Sequence, residues 1–188
     1  MDALLRWIVS TSVLAFGTVI VICVAGAILF VWRQRRSEWR DALSRTGSET
    51  LLVVALALIV IATLLTPQLA GAGERTILLE PFWDLREALA GRQVLARAVA
   101  EMIGNVLLFL PLGVALALRW PAISLAATIG AAVATSLVVE IGQALLAGGR
   151  MTDVTDVLMN GIGALIGALF VRRASSPQEP LTPDTMHR

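Results

Sequence analysis

Residues 152–171 read TDVTDVLMNGIGALIGALFV, and this stretch decides the fold class. It opens with polar and acidic residues and continues as an apolar run that can cross a hydrocarbon core of ~30 Å at ~1.5 Å per residue. Asp156, Asn160, Gly163 and Gly167 follow one another at i, i+4, i+7 and i+11, so they share one stripe of a helix. Glycines four residues apart let a second helix approach closely. The stretch therefore predicts a transmembrane helix whose packing face also carries a carboxylate and an amide into a bundle.

The rest of the chain predicts more helices of this kind. Four further apolar segments stand at Trp7–Trp32, Leu51–Ala70, Met102–Arg119 and Ala122–Leu146, and the quoted stretch supplies the fifth, Val154–Val171. The 188 residues are 57% hydrophobic and 15% charged, with a mean hydropathy of +0.80, whereas soluble domains carry ~25% charged residues. We expect an all-α, polytopic membrane helix bundle of about five transmembrane helices. A short interfacial helix is expected within residues 77–90, between helices 2 and 3, with Pro81 in its first turn.

Composition excludes most enzyme classes. All fifteen basic residues are arginine, so P-loop and Schiff-base lysine chemistry is excluded. His187 is the only histidine and lies in a polar tail, while Cys23 stands alone in an apolar run, so zinc motifs, Ser-His-Asp triads and disulfides are excluded. A net charge of +1 gives no reason to expect nucleic acid. We expect no cofactor, no metal and no nucleic-acid partner.

The arginines predict how the chain is oriented. With five spans, one side carries nine of them (Arg33, Arg35, Arg36, Arg40, Arg45, Arg119, Arg172, Arg173 and Arg188) and the other carries six (Arg6, Arg75, Arg86, Arg92, Arg97 and Arg150). The positive-inside rule then places the N-terminus outside and the C-terminus in the cytoplasm. Residues 33–50 are expected to form an Arg-rich cytoplasmic loop.

We divide the chain into three parts on this basis. Residues 1–75 are expected to hold two N-terminal transmembrane helices and the Arg-rich loop. Residues 76–172 are expected to form a membrane domain of three helices. The polar, Pro-containing residues 173–188 predict a disordered cytoplasmic tail.

Polar residues inside the spans converge on one leaflet. The third helix starts at one side of the membrane, the fourth helix ends at that side, and the fifth helix starts there again. The polar ends of all three helices therefore lie in the same leaflet. The predicted polar pocket consists of Asn105, Glu140, Gln143, Arg150, Asp153, Asp156 and Asn160. Simpler roles compete for some members: an N-cap for Asp153, a headgroup anchor for Arg150, and a solvated interfacial position for the nearby Glu101.

Charge balance predicts contacts within this pocket. Two carboxylates from neighbouring helices, Glu140 and Asp156, would repel each other unless a cation or a proton lies between them. We therefore predict that Arg150 bridges the fourth and fifth helices through one or both. Asn160, one turn below Asp156, is expected to donate a hydrogen bond to the same carboxylate.

Three sequence elements together resemble the VanZ-like family of bacterial membrane proteins. They are Asn105-Val-Leu-Leu-Phe-Leu-Pro-Leu-Gly113, Glu140-Ile-Gly-Gln143 and Arg150-x-x-Asp153-x-x-Asp156-x-x-x-Asn160-Gly161-x-Gly163, and the resemblance covers about residues 76–172. Glu80-Pro81-Phe82 looks like the end of the family's Asn-x-x-Pro-Phe element, with Leu78 in place of the Asn. The resemblance implies a cell-envelope role, since the family's founder is associated with resistance to the lipoglycopeptide teicoplanin, but it supplies no reaction.

Three functions remain open from the sequence. The first is a non-enzymatic envelope protein whose outer-leaflet pocket binds a lipid or glycolipid headgroup and is linked to teicoplanin tolerance. The second is a membrane-embedded enzyme acting on a lipid-linked phosphate or sugar, and the third is a small carrier or lipid scramblase. The expected partners are membrane lipids or lipid-linked envelope components, with a helix-mediated oligomer or a membrane-protein partner as a further expectation.

Overall fold

The structure is a computed structural model that describes residues 3–64, 77–78, 80–146 and 152–175. Its elements are α1 (Ala3–Gln34), α2 (Trp39–Leu64), β1 (Ile77–Leu78), α3 (Trp83–Leu89), α4 (Leu95–Arg119), α5 (Leu125–Leu146), β2 (Thr152–Asp153) and α6 (Val154–Ser175). All helices except the short α3 are long and apolar enough to cross a membrane, which makes five candidate spans. The predicted fold class, including a short helix between the second and third spans, is confirmed. The chain is a multi-pass membrane protein.

The bundle is centred on α4 and α6, which share its most extensive helix contact. α2 packs against α4, α5 packs against α6, and α1 packs against α2 at the periphery. The core between these helices consists of Ala55, Ile59, Phe109, Leu112, Leu116, Ala132, Val139 and Ala164. The most apolar part of α1 has no buried residue, so in a membrane that helix presents most of its surface to lipid.

Glycine brings α4 and α6 together. A Cβ atom built on Gly163 would overlap the backbone of Val106, and one built on Gly167 would overlap the backbone of Leu110. The contact is reciprocal, because a Cβ on Gly113 of α4 would overlap the backbone of Ala164. The prediction that the Gly163 and Gly167 face packs closely against a neighbouring helix is confirmed, and that neighbour is α4.

The second helix begins twelve residues before the predicted segment, at Trp39 instead of Leu51, so the predicted loop 33–50 is wrong for most of its length. Only residues 35–38 connect α1 to α2, and Arg40 and Arg45 lie on α2. The physical reason is packing: Ala42, Thr46 and Ser48 are buried, with no more than 3% of their surface exposed. Tertiary contact thus supports a helix that the local polar composition disfavours.

Several smaller details also differ from the predictions. α4 begins at Leu95 instead of Met102 and α6 continues to Ser175 instead of Val171. The added stretches contain charged residues (Arg97, Glu101, Arg172 and Arg173), which ended the apolar segments in the sequence but do not end the helices. Pro81 lies in a turn before α3 and not in its first turn. Phe82 causes this, because its left-handed backbone (φ 61°, ψ 27°) separates Pro81 from the helix that begins at Trp83.

Candidate functional site

The candidate site lies where α4 and α6 begin, which we call the polar end of the bundle. β1 and β2 pair in parallel there, with Ile77 opposite Thr152 and Leu78 opposite Asp153. Asp153 is buried, and its carboxylate oxygen Oδ1 accepts the backbone N–H of Thr155 at 2.8 Å. This bond caps the first turn of α6, whose N–H groups have no partner within the helix. The N-cap role considered for Asp153 is therefore what its side chain performs.

Thr155 ties the α3 segment to α6. Its hydroxyl oxygen accepts the backbone N–H of Phe82 at 2.8 Å, and only 5% of the residue is exposed. Phe82 has a left-handed backbone and donates this hydrogen bond at the point where the chain turns into α3. Sequence reasoning missed this contact, because a single Thr in a polar helix start carries no signal for a partner 73 residues away.

Asn105 and Asp156 form the central contact of the polar end. The Asn105 amide nitrogen Nδ2 donates a hydrogen bond to Asp156 Oδ1 at 2.5 Å and thereby joins α4 to α6. Both side chains are half-buried. The charges of Asp153, Glu140 and Glu101 all act on the Asp156 carboxylate. The structure thus brings together several of the acidic residues that the sequence assigned to one leaflet.

Asn160 has a different partner from the predicted one. Its Nδ2 donates to the hydroxyl oxygen of Ser136 on α5 at 2.8 Å, in a buried contact. The prediction that Asn160 donates to Asp156 is wrong; Asn105 does so instead. The reason is geometric, since Asp156 faces α4 whereas the amide of Asn160 reaches α5. Within the described residues the Asn160 Oδ1 atom is buried and has no hydrogen-bond partner.

Ser136 was missed although the sequence holds a signal for it. It precedes Glu140 by four residues, so both lie on one face of the largely apolar α5. Glu140 is half-buried. A hydroxyl one turn below a carboxylate on a membrane helix is the pattern that could have extended the predicted set to Ser136.

Two predicted members cannot be placed in the site. Arg150 lies outside the described residues, and the backbone of Gln143 belongs to α5 but its side chain is outside the described part. The predicted bridge through Arg150 therefore stays a prediction. Glu101, the residue weighed as interfacial, is half exposed at its side chain (49%) and pairs with Arg97 one turn earlier at 2.9 Å.

A cleft of about 330 Å³ opens beside these residues at the polar end. It is lined by Asp84 and Gln93, which hydrogen-bond at 3.1 Å, together with Val94, Arg97 and Glu101. Glu101 links the cleft to the acidic cluster, because its charge also acts on Asp156. Arg97 supplies a guanidinium that is 71% exposed. The predicted pocket residues do not line this cleft, which sits between α3 and α4.

The segment after α3 is held by an ion pair. Arg92 donates two hydrogen bonds to the Glu87 carboxylate, at 2.5 Å and 2.6 Å. These bonds hold the pKa of Glu87 below its ordinary value of 4.5; desolvation opposes them, and the charges of Arg92 and Arg86 add to the lowering. The pair spans the tight turn in which Gly91 has a φ of +74°.

The polar end can donate and accept hydrogen bonds and can attract cationic groups. Carboxylates and amides accept from hydroxyls and amines, and Arg97 can donate to an anion. Among the described residues, no three His, Cys, Asp or Glu side chains are arranged to hold a metal ion.

Comparison with known proteins identifies a family. The sequence model of the VanZ/LLP1 family matches residues 18–175. The match extends beyond residues 76–172, over which the resemblance was drawn, and takes in α2 and the second half of α1. No curated protein and no solved structure matches the chain.

Proposed function

Since the chain belongs to the VanZ/LLP1 family, we propose that it is a cell-envelope membrane protein whose polar end binds the headgroup of a lipid or glycolipid. We propose further that this binding contributes to teicoplanin tolerance, the property with which the family's founder is associated. The proposed pocket is the set predicted from the sequence: Asn105, Glu140, Gln143, Arg150, Asp153, Asp156 and Asn160.

The observation that carries the proposal is the Asn105–Asp156 hydrogen bond. It holds a half-buried carboxylate at the end of two apolar helices, at 2.5 Å from an amide. A charged group in a membrane span is costly, and such groups mark functional positions more often than packing positions. Helix packing alone does not require it, because the glycines already bring α4 and α6 into contact.

The chemistry of the polar end favours a ligand rich in hydroxyl or amino groups. Asp156 lies among other carboxylates, and carboxylates accept hydrogen bonds from sugar hydroxyls and attract ammonium groups. A phosphate on the same headgroup would pair with an arginine, for which Arg97 and Arg150 are the candidates. An ordinary apolar lipid tail would remain beside the spanning helices.

The proposed orientation rests on the arginine distribution, and the proposed membrane rests on the bacterial family that the chain resembles. We propose a bacterial plasma membrane, with the polar end on the outer side and the C-terminus in the cytoplasm. In that orientation the polar end faces lipid-linked envelope components and antibiotics that arrive from outside.

The test compares teicoplanin susceptibility and surface binding in strains that express the native chain, Asp156→Asn or Arg150→Ala at matched levels. We expect both variants to reduce tolerance, because each removes an ionisable side chain from the proposed pocket. Glu38→Gln is the matched control, since Glu38 is an exposed carboxylate in the connection at the opposite end.

Two outcomes would contradict the proposal. If Asp156→Asn and Arg150→Ala match the native chain in tolerance and binding, the link to the antibiotic is wrong. If Glu38→Gln reduces tolerance as strongly as the pocket variants, the effect comes from overall charge and not from the polar end.

A further inference from the structure

A second cleft, of about 330 Å³, lies at the opposite end of the bundle from the polar end. We call it the basic cleft. It forms where α1 and α4 end and α2 begins, and its charged lining consists of Arg33, Arg36, Arg45, Arg119, Asp41 and Glu49. Four guanidinium groups thus face two carboxylates, which leaves an excess of positive charge in the cleft.

Ion pairs connect the three helices that line the basic cleft. Arg33 donates to Glu49 at 2.7 Å, and Arg119 approaches the other oxygen of the same carboxylate at 3.5 Å. Arg33 also donates to the hydroxyl oxygen of Thr46 at 3.3 Å. All three charged side chains are about one-third exposed or less. One carboxylate therefore joins α1, α2 and α4, and it is shared between two arginines.

The other two arginines of the basic cleft, Arg36 and Arg45, are accessible to a ligand. Arg36 and Arg45 are exposed, and the guanidinium of Arg36 lies over the Trp32 ring, 4.5 Å from its centroid. Tryptophan is typical of the headgroup level of a membrane. Stacking on Trp32 orients the guanidinium plane without consuming its hydrogen-bond donors.

We propose that the basic cleft binds the phosphate group of an anionic membrane lipid. The cleft lies at the ends of apolar spanning helices, so a lipid headgroup meets it at the depth where a phosphate lies. A planar guanidinium group can donate two parallel hydrogen bonds to two oxygens of one phosphate. Arg36 and Arg45 supply the donors, while the Glu49 ion pairs hold the helices that carry them.

This proposal does not rest on the proposed function of the polar end. The two clefts share no lining residue, and they lie at opposite ends of α4. Variants of the basic cleft therefore test it without altering the pocket around Asp156.

The experiment measures lipid retention by the purified full chain in detergent, by native mass spectrometry with phosphatidylglycerol or phosphatidylcholine added. We expect the native chain to retain phosphatidylglycerol preferentially. Arg36→Gln and Arg45→Gln should each weaken that retention about fivefold, the effect of removing one arginine near an anionic headgroup. Arg35→Gln is the control, because Arg35 is exposed beside Arg36 and does not line the cleft. These variants leave the Glu49 ion pairs intact, and a thermal melt of each checks that it folds.

Each outcome has a defined meaning. Loss in Arg36→Gln and Arg45→Gln with little change in Arg35→Gln supports a built lipid site. If inorganic phosphate or glycerol 3-phosphate displaces the lipid at low millimolar concentration, the cleft serves a soluble phosphate compound and the lipid assignment is wrong. Equal losses in all three variants, or equal retention of the two lipids by the native chain, would overturn the proposal.

Discussion

The close approach of α4 and α6 leads to a sharp prediction for Gly113. Replacing it with alanine adds one methyl group, whose carbon would lie 2.7 Å from the Cα atom of Ala164 and 2.6 Å from its carbonyl carbon. Ordinary contacts of a Cβ atom begin at 3.4 Å. The obstacle is backbone, which cannot rotate away as a side chain can. The carbonyl oxygen of Ala164 lies closer still, so the helices would have to separate by about 1.5 Å along their main interface.

The expected cost follows from this displacement. Overpacking a well-packed interface costs about 1–3 kcal/mol, and an overlap with backbone belongs at the upper end of that range. Alanine recovers about 1 kcal/mol of helix propensity relative to glycine. Gly113→Ala should therefore lower the free energy of unfolding by about 2 kcal/mol. Gly104→Ala is the matched control on α4, since a Cβ there has no neighbour within 4 Å.

The measurement is reversible unfolding of the detergent-solubilised chain, followed by loss of helical circular dichroism in increasing denaturing detergent. Both variants gain the same helix propensity from alanine. The difference between their free energies of unfolding therefore gives the steric cost alone, about 3 kcal/mol. Gly163→Ala should behave like Gly113→Ala, because its Cβ would overlap the backbone of Val106. Equal stability of Gly113→Ala and Gly104→Ala would refute the close α4–α6 packing.

Two further predictions concern hydrogen bonds seen in the structure. Ser136→Ala removes the acceptor of the Asn160 amide and should lower the free energy of unfolding by roughly 0.6–1.7 kcal/mol in the same assay. Thr135→Ala is the control and should lower it by less, because the Thr135 hydroxyl bonds within its own helix. A larger loss of stability in Thr135→Ala than in Ser136→Ala would argue against the interhelical bond. Arg92→Gln should raise the pKa of Glu87 towards 4.5, measured by carbon-13 NMR titration of labelled glutamate, because the two hydrogen bonds that lower it are lost. In the native chain the stabilisation from this pair is complete above pH 4.5 and is lost as the pH falls through the lowered pKa of the folded state. An unchanged Glu87 titration would show that the pair is not formed in solution.

The apolar pattern alone was sufficient to predict the number of spans. An uninterrupted apolar run has one low-energy solution in a membrane, a helix with all its backbone hydrogen bonds internal. The start of α6 at Val154 was predicted to the residue, because Asp153 is a local N-cap signal. The glycines at 163 and 167 also predicted a close helix contact, since that requirement is local to one helix face.

Tertiary packing decided what the local pattern could not. The polar residues 39–50 are helical because α1 and α4 supply partners for them, as Glu49 shows by pairing with both Arg33 and Arg119. No local rule contains that information, since the partners lie 16 and 70 positions away in the chain.

For the candidate site, too, the sequence predicted one part and tertiary packing decided the rest. The sequence predicted that Asn105, Asp156 and Asn160 lie at one end of the bundle, because successive membrane helices run in opposite directions. Only the structure decided that Asn105 bonds to Asp156 and that Asn160 bonds to Ser136. Side chains four residues apart differ by ~40° around a helix, and that rotation selects which neighbouring helix each one meets. The choice of partner therefore depends on where α4 and α5 lie around α6, which three-dimensional packing determines.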